Sequence, residues 1–236
     1  MKVWTFWTGE EPQRIQTCLK TIERQCSDWS HLTLADAEKF LGERVHPVWR
    51  KLLPAHQADV LRACVLAQHG GLWLDADTVM FKEPENYFEK IKEFSYTTWT
   101  NKPRRVLNGY VYSPVPKHPV ANRWFANVTR SLFEMRKWAQ ANIDGLQRSN
   151  WTRFGEKCLT PAIDETCREF PREVLLPLDV DRDSPLFFSE RNWQDFVRPE
   201  TVGFGLSNSY IEKRNDRLTD SCMVQQLLSF AEGNLV

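Results

Sequence analysis

Residues 70–77 constrain this chain more than any other stretch. Gly70-Gly71 is followed by Leu72-Trp73-Leu74 and then by Asp75-Ala76-Asp77. Two successive glycines end a helix where the backbone turns left-handed after the last turn. The helix they end is read over Ala55 to His69, with Ala58, Leu61, Val65 and Gln68 along one stripe and Cys64 and Ala67 beside it. Three apolar residues then read as a short buried strand, and two carboxylates stand at its carboxyl end. In open α/β sheets, ligands bind outside the carboxyl ends of strands. The unit therefore specifies an α/β fold and marks where its site lies.

The rest of the chain fits that class. Residues 2–7 read as an opening strand, closed by Thr8-Gly9. Residues 12–25 carry Ile15, Leu19 and Ile22 at helical spacing. A strand and then a helix is a common α/β opening. A small helix is expected over 33–41. An irregular stretch follows over 43–54, where Pro47 and Pro54 act as breakers. Strands are expected over 93–100, 106–113, 172–178 and 201–206. Further helices are expected over 121–142, 156–170 and 219–232, and the stretch 179–200 reads as loop. The 121–142 helix is amphipathic: Trp124, Phe125, Val128, Leu132, Met135 and Trp138 lie on its apolar side, and Arg123, Arg130, Arg136 and Lys137 decorate it. With no internal repeat or linker, the 236 residues are expected to form one domain.

Charge narrows the partners. Lys+Arg and Asp+Glu number 31 each, so the chain has no global attraction for nucleic acid or an acidic membrane. A hydrophobic share of 42% supports a real core. The six cysteines show no Cys-x-x-Cys pair and are expected to be reduced thiols, and no His/Cys spacing suits zinc. No secretory leader and no membrane span is read. The expectation is a cytoplasmic protein, or one whose anchor lies outside this sequence. The Trp and Arg content of the 121–142 helix raises peripheral membrane association; packing on the sheet is the favoured alternative.

Two carboxylates one residue apart after a buried strand form a hard-oxygen site for Mg²⁺ or Mn²⁺, which bridge readily to phosphates. Asp is also common after strands as a turn residue, so the triplet alone is weak. Its context strengthens it. Asp59 and Arg62 lie three apart on the preceding helix and share a face. Arg62 offers a fork of donors for carboxylate, hydroxyl or phosphate oxygens.

Asp59-x-x-Arg62, a helix, Gly70-Gly71 and Leu72-Trp73-Leu74-Asp75-Ala76-Asp77 together resemble glycosyltransferase family 32 and its capsular-polysaccharide-synthesis relatives. The match is tightest over 57–81. Trp7-Thr8-Gly9 after the first strand, Asn108-Gly109 before an apolar strand, Pro116-Lys117-His118-Pro119 and Thr152-Arg153-Phe154-Gly155 extend it to about residue 165. The resemblance implies a GT-A-like, Rossmann-like fold with a central mixed sheet flanked by helices. It implies a nucleotide-sugar donor, UDP favoured and GDP possible, a glycan or lipid-linked saccharide acceptor, and retention of configuration. It further implies that Asp77 contacts Mn²⁺ or Mg²⁺, and that Asp75 contacts ribose or sugar and the metal. Asp59 and Arg62 then hold sugar hydroxyls, Trp7 and Thr8 border the base, and Asn108 and Gly109 lie near the donor sugar. The carboxyl third departs from the pattern. Gly205-Leu206-Ser207-Asn208-Ser209 stands where relatives carry a His-x-Trp-like motif, leaving Ser207 or Asn208 as neutral oxygen ligands.

Two other classes compete. Haloacid-dehalogenase-like phosphatases also end an apolar strand in Asp-x-Asp, which would make Asp75 a nucleophile; in them the motif usually follows the first strand. A non-catalytic sugar-nucleotide-binding protein is the other alternative, suggested by the altered carboxyl motif.

Overall fold

The computed structural model describes residues 1–98, 106–135, 152–178 and 183–233. The chain opens with β1 (Lys2–Phe6), α1 (Gln13–Gln25), β2 (Asp28–Leu32) and α2 (Leu34–Leu41). Thr33 caps α2 in a reciprocal capping box with Asp36. Two 3₁₀ turns, Gly42–Arg44 and Pro47–Lys51, precede α3 (Pro54–His69). Pro54 occupies the first turn of α3, where no N–H is needed. Then come β3 (Gly71–Leu74), β4 (Thr78–Met80), the short α4 (Glu85–Phe88), β5 (Ser95–Thr98), β6 (Val106–Ser113) and α5 (Pro119–Met135). The carboxyl third holds short helices at Glu156–Leu159 and Asn208–Glu212, β7 (Arg168–Glu169), β8 (Gly203–Gly205) and a last helix, Met223–Gly233.

Six strands form a mixed sheet in the order β2-β1-β3-β6-β5-β7, and β4 pairs with β8 separately. β1 runs parallel to β2 and to β3, while β6 is antiparallel to β3 and β5. The α/β class and the mixed sheet flanked by helices are as expected. Alternation along the strands feeds two layers. Trp4, Phe6, Trp73 and Val111 face α3 and α5. Val3, Leu72, Leu74, Tyr110 and Tyr112 face Ile15, Leu19 and Ile22 of α1.

Gly70 and Gly71 have φ of +67° and +95°. A Cβ on Gly71 would lie 2.4 Å from the Lys2 carbonyl oxygen, so the turn requires glycine twice over.

Several expectations are corrected. β2 went unread because Asp28-Trp29-Ser30-His31-Leu32 is polar and mostly half-exposed, as an edge strand can be. The helix expected over 156–170 stops at Leu159 and tightens to a 3₁₀ turn, Thr160–Ala162, where Pro161 ends it. The strand expected over 172–178 is a 3₁₀ turn, Arg172–Val174, and an irregular run. Buried Arg172 closes that turn by donating Nε and a terminal amine to the Leu176 carbonyl (3.2 and 3.0 Å). The single apolar stripe expected on α3 is too narrow: residues 59–67 are all buried. The apolar side of α5, including Trp124, Val128 and Leu132, packs on α3 inside the molecule. That face is therefore not presented to a membrane; Arg136, Lys137 and Trp138 lie outside the described residues. No helix among the described residues is long and apolar enough to cross a membrane. All six cysteines are unpaired thiols.

Candidate functional site

The carboxyl ends of β1 and β3 lie side by side, because Trp4 pairs with Trp73 in a parallel register. Trp7 and Thr8, both half-buried, follow β1 there, and Asp75 and Asp77 follow β3. β6 crosses antiparallel, with Leu74 opposite Tyr110, which brings Gly109 against Asp75. A Cβ on Gly109 would sit 2.3 Å from Asp75 Oδ2. Only a residue without a side chain leaves room for this carboxylate.

The pairing of β6 with β5 jumps from Tyr96–Val111 to Thr97–Leu107. Asn108, Gly109 and Tyr110 therefore form a bulge, a device that re-aims side chains. Asn108 uses that freedom to reach α3: its Nδ2 donates to Asp59 Oδ1 at 2.5 Å. Gly155, just before the short helix, makes space for it, since a Cβ there would lie 2.3 Å from Asn108 Nδ2.

Arg62 is the hub. Its guanidinium donates to Asp75 Oδ1 (2.5 Å), to Asp59 Oδ1 (3.3 Å) and to the Asn108 carbonyl (2.5 Å). It also stacks over Trp73, 4.8 Å from the ring centroid, and Trp73 Nε1 donates to Asp75 Oδ1 at 3.1 Å. The side chain is 4% exposed, and its Nε has no acceptor among the described residues. Asp59 and Arg62 pair along one face of α3, as their spacing predicts. The structure buries the pair and joins both residues to Asp75 and Asn108.

One guanidinium serves two carboxylates, so compensation is partial. Burial pushes the Asp59 carboxyl up to about 6, against the pull of Arg62 and His56, and the charge of Asp75 adds to the rise. Asp77 is likewise pushed up to about 6, by burial first and then by Asp75, against the backbone N–H of Asn208. That N–H donates to Asp77 Oδ2 at 2.5 Å. Among the described residues no Lys or Arg forms an ion pair with Asp77. Below it, Tyr110 Oη lies 3.1 Å from Thr78 Oγ1, and burial together with Asp77 and Asp75 holds the phenol in its neutral form.

Ser207 and Asn208 reach the site because β8 pairs with β4: Thr78 lies opposite Gly205, and the Leu206 N–H donates to the Asp77 carbonyl at 2.9 Å. Ser207 adopts a left-handed φ of +55°. Arg14 of α1 donates from Nε to Asn208 Oδ1. Trp7 Nε1 donates to the Glu10 carbonyl at 3.0 Å, which fixes the ring beside the end of β1. The structure thus gathers Asp59, Arg62, Asp75 and Asn108 into one bonded cluster, with Gly109 packed against Asp75. It sets Asp77, Ser207 and Asn208 beside one another, and leaves Trp7 and Thr8 on the same sheet edge. Sequence reasoning missed Trp73 and Arg14. Trp73 reads as a core residue, and Arg14 is separated from Asn208 by most of the chain.

The family model described as capsular polysaccharide synthesis protein matches residues 1–134. The chain belongs to this family. The matched region holds Asp59, Arg62, Asp75, Asp77, Asn108 and Gly109; Gly155, Ser207 and Asn208 fall beyond it. Family membership bears out the resemblance to capsular-polysaccharide-synthesis proteins read from the motifs. No curated protein matches the chain. Among solved structures it is similar to the PaToxG glycosyltransferase, at 12% identity over 97% of this chain and 78% of that one, with a TM-score of 0.40. It is also similar to the glycosyltransferase GlyE of Streptococcus pneumoniae TIGR4, at 10% identity over 99% of this chain. TM-scores there are 0.44, and 0.46 for the apo form. The chain spans 63% of the length of GlyE.

Proposed function

We propose that this member of the capsular polysaccharide synthesis family is a metal-dependent glycosyltransferase of GT-A-like fold. It moves a sugar from a nucleotide-sugar donor to a hydroxyl of a glycan or lipid-linked saccharide, with retention of configuration. A UDP-sugar is the favoured donor and a GDP-sugar the alternative. One observation carries the reading. At the carboxyl edge of the sheet, Asp77, a carboxylate with no Lys or Arg ion-pair partner among the described residues, stands next to a cluster in which Arg62 bonds both Asp75 and Asp59.

The residues suit a divalent ion. Asp77 and Asp75 supply hard oxygens, and Ser207 and Asn208 add neutral ones beside them. Among the described residues no group of three or more His, Cys, Asp or Glu is placed to hold a metal. The remaining positions would therefore fall to neutral oxygens, water and donor phosphates, as is usual for Mg²⁺. Bound there, Mn²⁺ or Mg²⁺ supplies charge neutralisation for a departing diphosphate. The chain's own part is positioning and electrostatics. Asp59, Asn108 and Arg62 form a rigid polar wall suited to sugar hydroxyls. Trp7 and Thr8 border the space beyond β1, where a base would lie.

The phosphatase reading fits less well. Asp75 follows the third strand of the chain, and its Oδ1 is held by both Arg62 and Trp73, which restrains a nucleophile. Thermal shift with UDP- and GDP-sugars, with and without Mn²⁺, followed by donor hydrolysis and transfer assays, tests the proposal. A Mn²⁺-dependent shift with one donor class, lost in Asp77→Asn, is the expected result. Phosphatase activity lost in Asp75→Asn, without any nucleotide-sugar binding, would overturn it.

A further inference from the structure

The carboxyl-terminal side of the site has no family pattern to lean on, yet it is held in one arrangement. Ser207 sits at φ +55° and ψ +62°, a left-handed conformation that costs a non-glycine residue free energy and persists only where its surroundings impose it. Its carbonyl starts the helix Asn208–Glu212 by accepting from the Tyr210 N–H at 2.8 Å. The next residue turns its backbone N–H onto Asp77 Oδ2. Its side chain is gripped from another layer of the molecule, by Arg14 Nε on Asn208 Oδ1. Arg14 is largely buried, at 16% exposure, and its other contact, Glu212 at 3.9 Å, is to an exposed carboxylate that contributes little.

We propose that Arg14 is a positioning residue of this site. Through Asn208 it holds the Ser207 turn in its left-handed form, and so fixes the orientation of the Asp77 carboxylate. The inference rests on the glycosyltransferase reading for what Asp77 then binds, but not for the geometry itself. An amide oxygen has two lone pairs. Arg14 occupies one and leaves the other directed by the same bond, much as outer partners orient metal ligands elsewhere. Helix α1 thereby takes on the ordering of the carboxyl-terminal motif.

The test combines amide hydrogen exchange with titration. In the wild type the Asn208 amide is protected by Asp77. Arg14→Ala and Asn208→Ala should each raise exchange across residues 207–210 while leaving that of α3 and β3 unchanged. Mn²⁺ affinity in the presence of UDP should fall roughly 10- to 100-fold in Arg14→Ala, the usual size of an outer-partner loss, and at least as far in Asn208→Ala, which removes the side-chain oxygen itself. The double variant should be no weaker than Asn208→Ala alone, because the two residues act as one unit. Arg14→Lys keeps the charge but not the fixed fork, and should recover part of the protection; it also reads the proposal should Arg14→Ala fold poorly. Unchanged exchange at 207–210 in both Arg14 variants, or additive losses in the double variant, would overturn it. If exchange responds as expected but the wild type binds no nucleotide or metal, the positioning stands and the glycosyltransferase reading fails.

Discussion

The two halves of the site are built on opposite plans. On the α3 side, Asp59, Arg62, Trp73, Asp75 and Asn108 bond to one another, and Gly109 and Gly155 let them approach. On the α1 side, Asp77 is held by backbone N–H groups alone, and its neighbour Asn208 is gripped from Arg14. The first half shares one guanidinium between its two carboxylates. The second carries a carboxylate, Asp77, with no Lys or Arg ion-pair partner among the described residues. Under the proposed function, the first half is the fixed wall and the second holds the position for a charge that arrives with the ligand.

The largest expected effect breaks the first half. Arg62→Ala leaves two carboxylates in or beside the core with no cation. Removing one partner of a buried pair costs about 3–5 kcal/mol. Urea denaturation should show a loss of that size, while Arg14→Ala should lose far less because its contacts lie nearer the surface. Next come the two glycines. Gly109→Ala and Gly155→Ala drive a methyl group onto Asp75 and Asn108 respectively. Overpacking of this kind costs about 1–3 kcal/mol. Both should also weaken donor binding, because they displace Asp75 or Asn108 without changing a charge. Loss of stability with unaltered donor affinity would show that the wall is structural and not part of the donor site.

Much of the first half was legible in the sequence, and the reason is local. Asp59, Arg62, Gly70-Gly71, Asp75 and Asp77 fall within twenty residues, on a helix, a turn and a strand that announce themselves by period and by glycine. β3, β6 and α1 to α3 were placed for the same reason. The rest depended on contacts between distant segments. Trp73 reads as any buried tryptophan; only the fold turns its indole N–H onto Asp75. Asn208 was picked as a ligand candidate, but nothing in its surroundings names Arg14 as its partner. Val174-Leu175-Leu176 has the composition of a strand, yet Pro171 and Pro177 flank it and Arg172 folds it into a turn. It still lends carbonyls to Val202 and Gly205 in place of full ladder pairing. Burial of α3 on every side was hidden because four of its buried residues, His56, Gln57, Asp59 and Arg62, are polar.

The pH dependence is the most discriminating effect, because it distinguishes the two carboxylates. Asp59 has a folded pKa of about 6, above the ordinary value near 3.8. Between those values the folded protein holds more protons than the unfolded one, so stability falls as pH rises through the window. Relative to Asp59→Asn, the wild type should therefore gain stability as pH is lowered from 6 to 4, by up to about 2–3 kcal/mol. Asp77 is raised in the same direction, but it is half-buried and water screens part of the effect. Its Asn variant should show the same sign with a smaller amplitude. Adding Mn²⁺ and UDP should then separate them. A cation at Asp77 favours its ionised form and competes with its proton, so the Asp77 difference should shrink or reverse above pH 6. The Asp59 difference should remain, since Arg62 and Asn108 already occupy that carboxylate. Equal responses of the two variants to Mn²⁺ would mean that the halves are not built on different plans after all.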